Sequence, residues 1–144
     1  MSAMFHEEWA IVSTIDPANI NNATTNGDYV DMTLFHEVSA VLILGAIDST
    51  VDFSLRNAKT TGGAGEVVIT GKTMTQLTGG TQDNEQHIIN CRSDELTAVD
   101  QRYIRPRVIM GAGTTNIAAV VIFGRPRHGP GTDNDLASVT VELT

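Results

Sequence analysis

The stretch Gly65-Glu66-Val67-Val68-Ile69-Thr70-Gly71-Lys72-Thr73 holds the ingredients of a phosphate-binding loop. Such a loop needs four residues between its first glycine and the Gly-Lys-Ser/Thr, so that successive N–H groups curl around the phosphates. Here five intervene, and Glu, Val, Val, Ile and Thr would rather extend. The stretch reads as a strand ending in a Thr-Gly turn. The four histidines, His6, His36, His87 and His128, include no pair at helical spacing, so no metalloprotease motif is present. Zinc held by Cys91 and scattered histidines is a weaker reading than Cys91 as a small buried residue at a strand end. No Gly-x-Ser-x-Gly elbow surrounds a serine. The loops 60–65, 79–83 and 128–135 lack the calcium-loop pattern and read as solvated turns. The expectation is a chain with no catalytic residue, no cofactor and no metal.

What the chain does concentrate is arginine. Arg102, Arg105, Arg107, Arg125 and Arg127 fall in one stretch without an acidic residue. The net charge of the whole chain is -8, so removing these five leaves -13. An acidic chain binds nucleic acid poorly, because phosphate neutralisation supplies most of that affinity. An arginine patch in such a chain is expected at a protein–protein contact, with another copy or with an acidic surface, since Arg bonds carboxylates bidentately.

The elements that must position those arginines follow from period. From Tyr103 to Met110 the chain alternates, with Tyr103, Arg105, Arg107 and Ile109 on one face and Ile104, Pro106, Val108 and Met110 on the other. Gly111-Ala112-Gly113 follows, then an apolar run from Asn116 to Phe123 suited to a strand near the middle of a sandwich. Two such runs joined by a Gly-containing loop predict a β-hairpin. A second hairpin is predicted from Ser39–Ile47 and Val51–Arg56 across Asp48-Ser49-Thr50, with Val51, Phe53 and Leu55 inward. Further strands are expected at 66–70, 85–91 and 137–143, and a helical turn capped by Ser93 or Asp94 within 93–100.

Residues 16–27 (DPANINNATTNG) are a run of turn formers with little to bury. Residues 1–28 are therefore expected to be an arm and linker that dock on a neighbour through Phe5 and Trp9, and 29–144 to be the domain. Eight or nine short strands at intervals of roughly 8–15 residues predict an all-β fold, an antiparallel β-sandwich or jelly roll. At 144 residues one domain is expected, burying about 68% of what its unfolded chain exposes. With a single cysteine no internal disulfide forms, and no apolar run approaches the roughly 20 residues of a membrane helix. A soluble chain folding in a reducing cytoplasm, with no membrane and no direct nucleic-acid partner, is the expectation.

The order of several short matches then carries a resemblance. Tyr29-Val30-Asp31-Met32, the apolar strand Val38–Gly45, and Val51-Asp52-Phe53-Ser54-Leu55-Arg56-Asn57-Ala58 precede a Gly-rich loop. Ile69-Thr70-Gly71-Lys72 and Thr75-Gln76-Leu77 come next, then Tyr103-Ile104-Arg105, the apolar strand and Gly124-Arg125-Pro126-Arg127. Over about residues 29–130 the chain resembles small β-rich virion proteins of tailed bacteriophages, of the head cement or decoration kind. The resemblance implies a structural protein of the phage head, made in the host cytoplasm, that binds and stabilises the shell of major capsid protein. It implies a homo-oligomer, dimer or trimer, and no catalytic residue. The rival readings are a tail or head–tail joining component of the virion and a carbohydrate-binding β-sandwich. The scarcity of aromatic residues for sugar stacking, one Trp and two Tyr, counts against the last.

Overall fold

The computed structural model describes residues 5–96 and 100–128. Two antiparallel sheets pack face to face, as the period-two patterning predicts. Sheet A has the order β1-β11-β5-β9, formed by β1 (Ala10–Ile15), β11 (Thr114–Pro126), β5 (Phe35–Ile47) and β9 (Gln86–Arg92), with β2 (Ala18–Asn21) also pairing to β11. Sheet B has the order β3-β10-β6-β7, formed by β3 (Thr24–Asn26), β10 (Tyr103–Met110), β6 (Thr50–Ala58) and β7 (Val67–Thr73). Two short strands complete it, β4 (Val30–Asp31) against β10 and β8 (Leu77–Thr78) against β6. One helical turn, Phe5–Glu8, precedes β1, and a 3-10 turn, Ser93–Glu95, follows β9.

The inner faces are those the alternation selects. Val51, Phe53 and Leu55 of β6 and Ile104 and Val108 of β10 are fully buried. They meet Val38, Ala40 and Leu42 of β5 and Val120 and Ile122 of β11 in one core. Each large apolar side chain so buried stabilises the fold by about 1.5–3 kcal/mol. Cys91 lies in that core with its thiol pushed up to about 11 by burial. Gly65–Thr73 is no phosphate loop: Val67–Thr73 is strand throughout, with Gly71 at φ +74 where the pairing with β6 shifts register.

Both predicted hairpins are corrected. β5 and β6 lie in different sheets, and so do β10 and β11. Asp48-Ser49 and Gly111-Ala112-Gly113 are arches that carry the chain across the core from one sheet to the other. The two arches lie side by side: the Gly111 N–H donates to Thr50 O at 2.9 Å and the Thr114 N–H to Asp48 Oδ2 at 3.0 Å. Gly113 needs its freedom here, with φ +109 and the Asp48 Cβ only 2.9 Å from where its own Cβ would stand. Alternation alone could not separate the two cases. A strand facing its sequence neighbour across a core turns the same residues inward as one hydrogen-bonded beside it. The missing signal was turn chemistry, for neither loop is the Asn-Gly or Asp-Gly pair that a tight hairpin favours.

The N-terminal boundary is corrected as well. Residues 10–26 do not leave the sandwich: β1 pairs with β11 along Ala10–Ile15, and β3 pairs with β10. Ala10, Val12 and Ile15 are buried, and Ser13 is fully buried with its hydroxyl donating to Asp28 O at 3.0 Å. The polar run 16–27 supplies the strands β2 and β3, which step from the edge of sheet A to the edge of sheet B. Their side chains are mostly exposed, so backbone pairing rather than burial places them. The C-terminal strand expected at 137–143 lies outside the described residues.

Candidate functional site

The outer face of sheet B carries the arginines of β10, as the alternation predicts, and adds one from β6. Arg105 stands directly opposite Arg56 in the β10–β6 pairing, and Arg107 opposite Ser54. Like charges so placed repel. The chain resolves this by folding the loop 59–66 back over the sheet and inserting Glu66 among them. Arg56 Nε lies 2.8 Å from Glu66 Oε1 and Arg105 Nη2 lies 2.6 Å from Oε2, while Arg107 bonds Oε1. The Tyr29 hydroxyl donates to Oε2, its ring lying under the Arg105 guanidinium with the carbon 4.5 Å from the centroid. Arg107 Nε donates in addition to Asn26 Oδ1 at 2.7 Å.

Burial alone would raise the Glu66 carboxyl. The hydrogen bonds from Tyr29 and Arg56, with the charges of Arg105 and Arg107, outweigh it and hold the group below the usual carboxylate range. Tyr29 moves the other way: burial and its bond to Glu66 raise its hydroxyl above the ordinary value, against the pull of the arginines. Glu66 is the residue sequence reading missed. Its signal was available, since a lone acid in a Gly-rich loop sits ten residues after Arg56.

The other predicted arginines are spread out. Arg102 pairs with Asp31 at 3.1 Å and covers Tyr103, and Arg125 reaches Glu37 at 3.5 Å. Arg127 donates to the Ser93 hydroxyl at 2.8 Å. The structure thus brings together Arg105 and Arg107 with Arg56, and not the five as one patch.

The outer face of sheet A carries an apolar row beside polar ones. Ile11 and Phe123 pair across β1 and β11, and a row runs from Val121 through Val41 to Ile88 across β11, β5 and β9. Ile88 is 60% exposed. Phe5 and Trp9, the predicted anchors, stand at one end of this face. Their rings stack 6.5 Å apart, and Phe5 meets Phe123 edge-on at 5.4 Å while remaining 59% exposed. Beside Trp9 a hollow of about 420 Å³ opens between the sheet edges, bordered by Ser39, Lys72, Asn90, Arg92 and Glu95. Lys72 of β7 and Glu95 after β9 clasp the two sheets across it at 2.7 Å. Among the described residues no group of three or more His, Cys, Asp or Glu side chains converges as a metal site would require.

Fold and faces define a two-sheet antiparallel β-sandwich with an arginine cluster on the outer face of sheet B and an apolar row, Val121–Val41–Ile88, on that of sheet A. No family model matches the sequence, and no curated protein is significantly similar to it. A solved structure described as "Bacillus endospore appendages form a novel family of disulfide-linked pili" is similar with a TM-score of 0.49 and 12% identity. That match covers 88% of this chain and 97% of the other.

Proposed function

We propose that this is a structural virion protein of a tailed phage, a cement or decoration subunit that binds the major capsid protein shell and stiffens it. The observation that carries the reading is the apolar outer face of sheet A. Val121, Val41 and Ile88 form a row across β11, β5 and β9, Phe123 stands two residues along β11 from Val121, and Ile88 is 60% exposed, and surface apolar groups gathered in this way mark a protein contact. The sequence resemblance to small head proteins supplies the particular assembly. In this reading sheet A docks on the shell, Phe5 and Trp9 extend the contact, and copies associate as a dimer or trimer. Each contact is weak, but attachment at several points of a lattice raises the effective affinity well above any single one.

The test is location and consequence in the particle. Particles lacking the protein should lose DNA at lower temperature, and purified protein added back should restore them with copies ordered on the capsid lattice. Finding only a few copies at the tail vertex would replace this reading with a head–tail joining component. Finding none in the virion would end it.

A further inference from the structure

Among the described residues the cluster on sheet B carries more positive charge than negative. Arg56, Arg105 and Arg107 bring three positive charges to one carboxylate, Glu66, with Tyr29 neutral beside it. Among the described residues Glu66 is the sole carboxylate in ion-pair reach of the three. Each guanidinium keeps about a fifth of its side chain exposed (19%, 21% and 19%). The Nε of Arg105 is buried and has no hydrogen-bond acceptor among the described residues. An unpaired buried donor on a charged group is costly, and so are two guanidiniums facing each other across strands. A network meant only to pin the loop 59–66 needs one arginine for one glutamate. The other two raise the cost without serving that purpose.

We propose that Arg56, Arg105 and Arg107 form an oxyanion-binding site in which Glu66 fills one position and a second anion, with two oxygens sharing its charge, fills the other. The planar forks of guanidinium groups match such a group bidentately, and each of the three engages Glu66 through a single nitrogen, which leaves its other N–H groups for a second anion. The ligand is of carboxylate or phosphate type. Its source is either a free ion or an acidic side chain presented by a partner protein. Tyr29 and Asn26 are positioning residues: the first holds Glu66 and lies against Arg105, the second orients Arg107 through Nε.

The experiment is a titration of the full-length protein, followed by thermal unfolding and calorimetry, at constant ionic strength set with sodium chloride. Three probes are used: inorganic phosphate, acetate and a short glutamate peptide. A saturable rise in melting temperature with one site per chain is expected from at least one of them. Response to phosphate or acetate assigns a free ion, and response to the peptide alone assigns a partner's side chain. Arg56→Gln, which removes one of the three guanidiniums, should weaken binding by on the order of tenfold. Glu66→Gln should tighten it by a similar factor, because the competing carboxylate is gone while the three charges remain. The gain in affinity separates a binding site from a structural clasp, since either loses stability on this change but only a site binds the anion more tightly. No saturable response beyond chloride, or a response unchanged in both variants, overturns the proposal.

Discussion

On the outer face of sheet B, Tyr29 and the loop 59–66 lie over the strands, and Glu66 gathers Arg56, Arg105 and Arg107 around one carboxylate. On the outer face of sheet A the long strands β5 and β11 carry Val41, Val121 and Phe123 outward, and Phe5 and Trp9 lean over one end. The two faces come from the same alternating pattern, and their inner sides share one core. They differ in what the connections do. The loop between β6 and β7 is Gly-rich and long enough to fold back with an acid at its end. The described connections of sheet A are arches and steps that pass to sheet B.

The largest effect is expected from removing residues 1–15, which tests whether sheet A owns its edge strand. Ala10, Val12 and Ile15 would be lost from the core, and β11 would expose its edge from Val120 to Gly124. Several buried side chains at about 1.5–3 kcal/mol for the larger ones are comparable with the total stability of about 5–15 kcal/mol typical of such a domain. Loss of the cooperative thermal transition by circular dichroism is the expected outcome. A truncated chain that melts within a few degrees of the intact one would return the N-terminus to the status of an arm.

Next in size is Glu66→Gln, which removes the carboxylate from the cluster on sheet B. Breaking a buried ion pair from one side typically costs 3–5 kcal/mol, and the partial exposure of these guanidiniums reduces that to about 2–3 kcal/mol. Because what remains is mutual repulsion of arginines, added salt should recover part of the loss. Chemical denaturation at low and high salt measures both. A variant as stable as the parent would mean that Glu66 does not hold the cluster together.

The same cluster sets a pH window. The Glu66 carboxyl is lowered in the fold, so its contribution is full above the ordinary carboxylate range and is lost as pH falls through the lowered value. Glu95 acts in the same direction, held down by the Arg92 N–H and by Lys72. Tyr29 is raised, so its contribution is full below the ordinary tyrosine value and is lost as pH rises through the folded-state one. Cys91, raised to about 11 by burial, adds to the alkaline loss. Melting temperature should therefore fall on both sides of neutrality. Glu66→Gln should flatten the acid limb and Cys91→Ala part of the alkaline one. Limbs unchanged in these variants would assign the titration to other groups.

Sequence reading reached the inward faces of β6 and β10, the two-sheet class and the outward arginines because each rests on a period of two, which the core enforces. It failed where the same period serves two geometries: Asp48-Ser49 and Gly111–Gly113 are arches, and alternation is blind to which sheet a strand joins. It failed again at 16–27, because strands placed by backbone pairing leave no apolar trace. The arginine cluster was half legible. The positions of Arg105 and Arg107 followed from strand parity, but Glu66 reaches them through a loop whose path depends on Gly63 and Gly65, both at positive φ. The apolar row across sheet A was not seen, since Val41, Val121 and Ile88 become neighbours only through register.

The smallest effect on the isolated chain, and the one that weighs most on function, is expected from Ile88→Asp. Ile88 lies on an edge strand with most of its surface in water, so the folded state gains little from it. Surface changes of this kind usually stay within about 0.5 kcal/mol, and the poor strand propensity of Asp adds at most a similar amount. If the outer face of sheet A is what meets the shell, the same change places a charge in an apolar contact. Desolvating that charge without a partner costs several kcal/mol at each copy. Thermal unfolding should therefore hardly move while occupancy on particles collapses, and Arg125→Gln at the polar margin of the same face should leave occupancy nearly intact. If Ile88→Asp binds particles as the parent does, the outer face of sheet A is not the contact.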